Sequence, residues 1–151
     1  MNTQPIEVLL VEDNPNDAEL TLNALRRRHL ADHIFHVQDG EEALEFLRCE
    51  GRYAGQEREH ALKVVLLDLK MPKMDGLKVL RAMKSDPGMQ EIPVVMLTSS
   101  CEDRDLDEAY RLGANSYIVK PVEFDNFSEA VSQLGLYWLS LNQTPPGAST
   151  S

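Results

Sequence analysis

The segment VVLLDLKMPKMDG, residues 64–76, contains the pattern that decides the fold of this chain. Its first four residues are all apolar, which is typical of a β-strand covered on both faces, as the strands of a parallel sheet are. Asp68 follows this run directly, and from Asp75 onward apolar residues recur at the spacing of an amphipathic helix, predicted over residues 75–84. The segment is therefore predicted to be one strand and helix unit of an α/β fold.

The same alternation of a short apolar run and an amphipathic stretch occurs five times. We predict strands at residues 6–11, 33–38, 64–67, 93–97 and 116–119, and helices from residue 15, from residue 41 and over residues 75–84, 102–112 and 123–141. Asn14 is suited to cap the first helix and Pro15 to begin it. This order of elements favours right-handed crossovers and a doubly wound parallel sheet with helices on both faces. For five such strands we expect the flavodoxin-like order 2-1-3-4-5.

Length and charge limit what the chain does. The 151 residues fit one domain, predicted at residues 5–141, with the Pro-, Ser- and Thr-rich residues 142–151 as a disordered tail. The net charge is −10, so no nucleic-acid partner is expected, because such binding depends on basic residues that neutralise phosphates. Residues 8–11 are too short an apolar run, and too acidic in their flanks, for a signal peptide or a membrane span.

The two cysteines, Cys49 and Cys101, stand in no paired motif and have no histidine at metal-binding spacing. We interpret them as reduced thiols and expect a cytoplasmic protein. The polar residues 49–63 are interpreted as a surface segment between the second helix and the third strand.

Polar side chains follow four of the predicted strands. Glu12 and Asp13 follow the first strand, Asp68 the third, Thr98 the fourth, and Lys120 the fifth. Singly, each is ordinary, because such residues often cap helices or lie at the surface. Together they predict one pocket, since ligands of open α/β sheets bind beyond the carboxyl ends of the strands. Three neighbouring carboxylates repel one another unless a cation lies between them, and oxygen ligands of this kind suit Mg²⁺.

Five stretches closely resemble the receiver domain of two-component response regulators. They are VLLVEDN at 8–14, LLDLKMPKMDG at 66–76, PVVMLT at 93–98, GA at 113–114 and YIVKP at 117–121. The resemblance covers about residues 5–140 in the correct order. It implies a chain that accepts a phosphoryl group from the phosphohistidine of a sensor histidine kinase onto one aspartate, with Mg²⁺, or Mn²⁺ in its place, as the cofactor.

The resemblance assigns the acidic residues individually. Asp68 matches the phosphoacceptor. Glu12 and Asp13 match the acidic pair that holds the metal together with Asp68, and the backbone carbonyl of Lys70 is a further ligand. Glu12 stands where many members of the family have aspartate, and it still supplies a carboxylate.

The remaining motif residues match the phosphoryl-binding and switch positions. Thr98 and Lys120 match the hydroxyl and the ammonium that bind the phosphoryl group, Tyr117 matches the aromatic switch residue, and Pro121 matches the proline that follows a cis peptide bond. Lys70 and Ser100 match positions that tune the rate of dephosphorylation.

Charge supplies a physical reason for the switch. Three carboxylates are matched by Mg²⁺ and Lys120, so a phosphoryl group adds roughly one to two units of excess negative charge. That charge is expected to attract the Thr98 hydroxyl, and Tyr117 then fills the space that Thr98 leaves. Such a switch would present a surface for partner docking or for onward phosphoryl transfer.

The last predicted helix carries more aromatic bulk than packing on one sheet face requires. We expect a homodimer through this helix, with Phe127, Tyr137 and Trp138 at the interface. The chain also resembles, less specifically, stand-alone receivers associated with phytochrome-type and other sensor kinases. We expect no membrane partner, and the downstream partner is not identified by the sequence.

Three other functions are compatible with parts of this pattern. A metal-dependent hydrolase with an aspartyl-phosphate intermediate usually has an acid two residues after its nucleophile, where this chain has Lys70. A flavodoxin-like FMN carrier needs a phosphate-binding loop, where this chain has the acidic Glu12 and Asp13. A receiver-like scaffold that is never phosphorylated would not need the complete site. We therefore expect no enzyme beyond self-phosphotransfer and autodephosphorylation.

Overall fold

The computed structural model describes residues 6–26, 34–55, 62–71, 74–99 and 104–133. In chain order its elements are β1 (Val8–Val11), α1 (Pro15–Arg26), β2 (Ile34–Val37), α2 (Gly40–Arg48), a short 3₁₀ helix (Gly51–Tyr53), β3 (Val64–Asp68), α3 (Gly76–Lys84), β4 (Val94–Thr98), α4 (Arg104–Leu112), β5 (Ser116–Val119) and α5 (Phe124–Gln133). These elements confirm the predicted alternation of strands and helices. The part of the last predicted helix beyond residue 133 lies outside the described residues.

All four strand pairings are parallel, and the order is β2-β1-β3-β4-β5, as predicted. The register aligns Val11 with Leu67, Asp68 with Leu97, and Thr98 with Val119. The carboxyl ends of the four neighbouring strands β1, β3, β4 and β5 therefore lie at one edge of the sheet. This register is what brings the polar residues after the strands together.

The core forms two layers, one on each face of the sheet. Because neighbouring side chains in a strand point to opposite faces, alternate residues of the buried strands enter different layers. Leu9 and Leu67 pack with α2, α3 and α4, whereas Leu10 and Leu66 pack with α1 and α5. The sheet is therefore doubly wound, and this arrangement leaves its edge at the carboxyl ends of the strands open.

Side-chain caps begin three of the helices at this edge. Asn14 Oδ1 accepts a hydrogen bond from the backbone N–H of Asp17 at 2.9 Å, which confirms Asn14 as the cap of α1. Asp39 and Asp75 accept equivalent bonds at the starts of α2 and α3. The caps fix where each chain segment leaves the sheet edge.

The described part of the polar segment, residues 49–55, is more ordered than the sequence indicates. It contains the 3₁₀ helix, and the ring of Tyr53 packs edge-on against Phe35 and Phe46, with ring centroids 5.8 and 5.3 Å away. The Tyr53 hydroxyl donates to Glu42. These contacts hold the segment against α2 and β2.

The structure corrects one expectation about α5. Phe127 has no exposed surface and packs in the core layer shared with α1, so it does not belong to an exposed dimer interface. The physical reason is that the apolar stripe of α5 is needed to cover the sheet. Tyr137 and Trp138 lie outside the described residues. Among the described residues, no helix combines the length and apolar character that crossing a bilayer requires.

Candidate functional site

Three carboxylates meet at the carboxyl edge of the sheet. Glu12 and Asp13 follow β1, and Asp68 is the last residue of the adjacent β3. Each supplies a carboxylate oxygen, and these oxygens all lie within 4.8 Å of one another. The predicted convergence of Glu12, Asp13 and Asp68 is therefore observed.

Backbone hydrogen bonds hold Glu12 in a buried position. Its N–H donates to the carbonyl oxygen of Val37 at 3.1 Å, and its own carbonyl oxygen accepts from Nε2 of His36 at 2.8 Å. Its carboxylate accepts from the N–H of Asn14 at 3.2 Å. The side chain is fully buried and points into the site rather than into solvent.

The loop after β3 fixes Asp68. The N–H of Leu69 continues the sheet by donating to the carbonyl oxygen of Leu97 at 2.9 Å, and the N–H of Gly76 donates to the carbonyl oxygen of Leu69 at 3.0 Å. The Asp68 carboxylate accepts from the N–H of Lys70 at 3.4 Å. Asp68 is thus buried on a short, tightly bonded turn.

Lys120 is the cation of the site. Its ammonium nitrogen lies 3.2 Å from Glu12 Oε1 and 3.3 Å from Asp68 Oδ1. It also lies 3.0 Å from Oδ2 of Asp17, a residue of α1 that the sequence motifs do not assign to the site. The available signal was the position of Asp17 in the first turn of a helix that begins at this edge. The Lys120–Pro121 peptide bond is cis, as predicted.

Residues 8–132 match the family model of the response regulator receiver domain. The chain belongs to this family. It is 48% identical to the bacteriophytochrome response regulator AtBRR, whose structure it matches with a TM-score of 0.79 over 90% of this chain and 96% of that one.

Two further relatives, one from Methanothrix harundinacea and one from Synechocystis, are similar to this chain over most of its length. The probable methanogenesis regulatory protein FilR2 of Methanothrix harundinacea is 40% identical over 93% of this chain and 88% of the relative. Response regulator Rcp1 of Synechocystis sp. is 33% identical over 93% of this chain and 94% of its own length. The Mn²⁺-bound crystal structure of Rcp1 has a TM-score of 0.70 over 89% of this chain and 95% of that one. The predicted likeness to phytochrome-associated receivers is confirmed.

Burial is the largest single influence on the pKa values of Glu12, Asp68 and Lys120, and neighbouring charges act with or against it. It raises the pKa of Glu12 to about 7, and the negative charge of Asp68 adds to the rise, while Lys120 opposes it. Burial also raises the pKa of Asp68, although hydrogen bonds from Glu12 and Lys120 act the other way. For Lys120, burial alone lowers the pKa, but the bond to Asp17 and the charges of Asp68 and Glu12 outweigh it, so the pKa is raised. The Lys120 ammonium therefore stays charged. Its single positive charge is not enough to bring the pKa values of Glu12 and Asp68 down to their ordinary range.

The donor set fits a divalent cation. All three side chains offer oxygen atoms, two of them are buried, and the raised pKa values of Glu12 and Asp68 mark carboxylates that a nearby positive charge would stabilise. The structure thus supports a divalent metal site at Glu12, Asp13 and Asp68.

The other predicted residues occupy the rim. Thr98 ends β4 and is buried, whereas Tyr117 in β5 is 37% exposed and packs edge-on to Tyr110 at 6.3 Å between ring centroids. Lys70 extends away from Asp68, and its ammonium lies 2.6 Å from Asp105 Oδ2. Ser100 lies outside the described residues, and its role stays a prediction.

Proposed function

We propose that Asp68 is the phosphoacceptor of this receiver. A carboxylate oxygen of Asp68 forms a bond to phosphorus while the phosphorus–nitrogen bond to the kinase histidine breaks. The histidine ring leaves with the electron pair of that bond and takes up a proton. The observation that carries this proposal is the 3.3 Å contact between Lys120 Nζ and Asp68 Oδ1 inside a cluster of carboxylates. It places a fixed positive charge beside the carboxylate that would receive a dianionic group.

We propose Mg²⁺, with Mn²⁺ as a substitute, for the divalent site. Glu12, Asp13, Asp68 and the backbone carbonyl of Lys70 would hold it. Bound there, it would neutralise charge on the phosphoryl oxygens, which is its general contribution to phosphoryl transfer. The Mn²⁺-bound structure of the relative Rcp1 and the all-oxygen donor set support this assignment.

The proposed output is a change in the surface around Tyr117. Thr98 and Lys120 bind the phosphoryl oxygens, and the movement of Thr98 makes room for the Tyr117 ring. The buried Thr98 and the half-exposed Tyr117 support this assignment, because they fit a resting state in which the ring lies outside. Coupling of about 1–3 kcal/mol is enough to shift the population of two such packings.

The phosphoacceptor is tested by incubation with acetyl phosphate and Mg²⁺, followed by intact-mass measurement. We expect one added phosphoryl group, lost in Asp68→Asn and after chelation of the metal. The matched control is Asp125→Asn, which removes an exposed carboxylate from the first turn of α5 and should leave the reaction unchanged. A phosphoryl group that persists in Asp68→Asn would place the acceptor elsewhere. Continuous turnover of a small phosphomonoester would instead indicate a hydrolase.

The proposed partner is a sensor histidine kinase of the phytochrome type, supported by the likeness to AtBRR. We assign the receiver to residues 5–141 and place its action in the cytoplasm, without a nucleic-acid or membrane partner. Transfer from a candidate phosphorylated kinase to this chain, read by loss of label from the kinase, tests the pairing.

We also propose that the chain forms a homodimer in which Tyr137 and Trp138 take part. Sedimentation velocity with and without beryllofluoride should show a dimer that Trp138→Ala weakens. Leu20→Ala, at an exposed leucine of α1, is the matched control and should not alter the association. A monomer under both conditions would contradict this proposal.

A further inference from the structure

Asp17 is a fourth carboxylate at the receiver site. Its Oδ2 atom lies 3.0 Å from Lys120 Nζ, closer than the oxygens of Glu12 at 3.2 Å or Asp68 at 3.3 Å. The hydrogen bond from its N–H to Asn14 fixes this turn of α1, and the next residue, Ala18, is buried in the core. The position of Asp17 beside Lys120 therefore follows from how α1 packs.

Asp17 changes the charge balance of the site. With a divalent cation bound, Glu12, Asp13 and Asp68 are matched by that cation and Lys120. The Asp17 carboxylate then leaves one formal negative charge in excess, before any phosphoryl group arrives. Asp17 Oδ2 and Asp68 Oδ1 both contact Lys120 Nζ, at 3.0 and 3.3 Å. The excess negative charge is therefore close to the carboxylate that would accept the phosphoryl group. Among the described residues, Lys120 is the only cation in contact with Asp68, and the Asp17 carboxylate takes up one of the contacts that its ammonium can make.

We propose that Asp17 is a positioning residue that holds Lys120 in the resting site and competes with the incoming phosphoryl group for its ammonium. This inference rests on the proposed function of Asp68. In the reaction with acetyl phosphate, a bond forms from Asp68 to phosphorus, the phosphorus–oxygen bond to acetate breaks, and acetate leaves with the electron pair. Negative charge gathers on the phosphoryl oxygens during this exchange, and Lys120 meets it only as its contact with Asp17 loosens.

The substitution Asp17→Asn removes the negative charge of this side chain but keeps its size and one hydrogen-bond acceptor. It therefore tests the effect of the charge on Lys120 with little change in packing. We expect it to raise the initial rate of phosphorylation by acetyl phosphate with Mg²⁺ by about three- to tenfold, a modest range because the pair is partly exposed and screened. The gain should shrink as salt is added. Asp17→Glu should restore a rate near that of the wild type, and Asp125→Asn, with the same change in net charge, should have no effect.

A second variant tests whether the effect passes through Lys120. In a Lys120→Met background the gain from Asp17→Asn should be largely lost, because there is no ammonium left to release. A gain of the same size in that background would contradict the route through Lys120. An unchanged or slower rate for Asp17→Asn alone would overturn the proposal and make Asp17 a support for the lysine instead. A wild-type chain that gains no mass refutes the proposed function itself, and the inference falls with it.

Discussion

At the scale of single residues, the site combines buried carboxylates with one lysine. Glu12 and Asp68 are both buried, and burial raises the pKa of each. A buried carboxylate opposes folding when it is charged, and at Glu12 the positive charge of Lys120 offsets this cost only in part. Burial of these charged carboxylates therefore lowers the stability of the metal-free protein. It also favours the binding of a cation, which would neutralise them.

The substitution Glu12→Gln should stabilise the metal-free protein at high pH. The folded-state pKa of Glu12 is about 7, above its ordinary value of 4.5, so its protonated form contributes stability fully below about 4.5 and loses it as pH rises through 7. We expect a gain of about 1–3 kcal/mol in the free energy of unfolding at pH 8 and little change at pH 4.5, measured by urea denaturation in a chelator.

The same variant should respond less to the cation. Adding Mg²⁺ at pH 8 should raise the melting temperature of the wild type more than that of Glu12→Gln, because a ligand that binds the folded state stabilises it. Glu91→Gln, at an exposed loop residue, is the matched control and should stay within about 0.5 kcal/mol of the wild type at both pH values. A destabilised Glu12→Gln protein at pH 8 would contradict the electrostatic argument.

At the scale of elements, the turn from β3 to α3 holds the proposed acceptor. The N–H of Gly76 bonds to Leu69, the Asp75 side chain caps α3, and Asp68 ends the strand. A Cβ atom on Gly76 would collide with the carbonyl oxygen of Asp68 and come within 3.0 Å of Leu69 Cα. Glycine is required here by the close approach of two backbone segments.

The substitution Gly76→Ala should both destabilise the protein and slow phosphorylation of Asp68. The extra methyl group must push the turn away from the sheet edge, at a cost of about 1–3 kcal/mol, as for other overpacked sites. Thermal denaturation and the acetyl phosphate assay measure the two effects. Gly88→Ala is the control, because its Cβ would meet only Asp86 Oδ1 at 3.3 Å. Equal behaviour of the two variants would show that the turn tolerates the methyl group.

At the scale of the whole molecule, the two core layers decide which apolar residues are available for partners. The sequence predicts Phe127 at a dimer interface, but the structure buries this residue between α5 and the sheet. The aromatic residues that remain exposed among the described residues are Tyr110 and Tyr117, which pack against each other beside β5. The surface next to the proposed switch thus keeps aromatic side chains that the core does not use.

The substitution Phe127→Ala should lower the free energy of unfolding by about 3–5 kcal/mol, because it removes a fully buried ring and leaves a cavity. Chemical denaturation followed by circular dichroism measures the loss. Leu20→Ala, at a leucine that is 53% exposed, should change stability by less than about 0.5 kcal/mol. A small loss for Phe127→Ala would indicate that α5 is not held by this contact.

Sequence periodicity by itself determined the α/β class, the approximate limits of the strands and the edge of the sheet at which the polar residues lie, namely Glu12, Asp13, Asp68, Thr98 and Lys120. It succeeded because apolar spacing encodes which side of each element is buried, and because the carboxyl ends of parallel strands share one edge. Strands β3 and β4 each end one residue later than predicted, since Asp68 and Thr98 still pair with neighbouring strands.

Tertiary structure alone decided the contact between Asp17 and Lys120, the burial of Phe127 and the raised pKa of Glu12. Asp17 and Lys120 are 103 residues apart in the chain, and no local pattern links them. Burial of a carboxylate and the charges around it exist only after distant segments have packed. Spacing along the chain shows which residues reach the sheet edge, but the distances and desolvation there depend on the assembled fold.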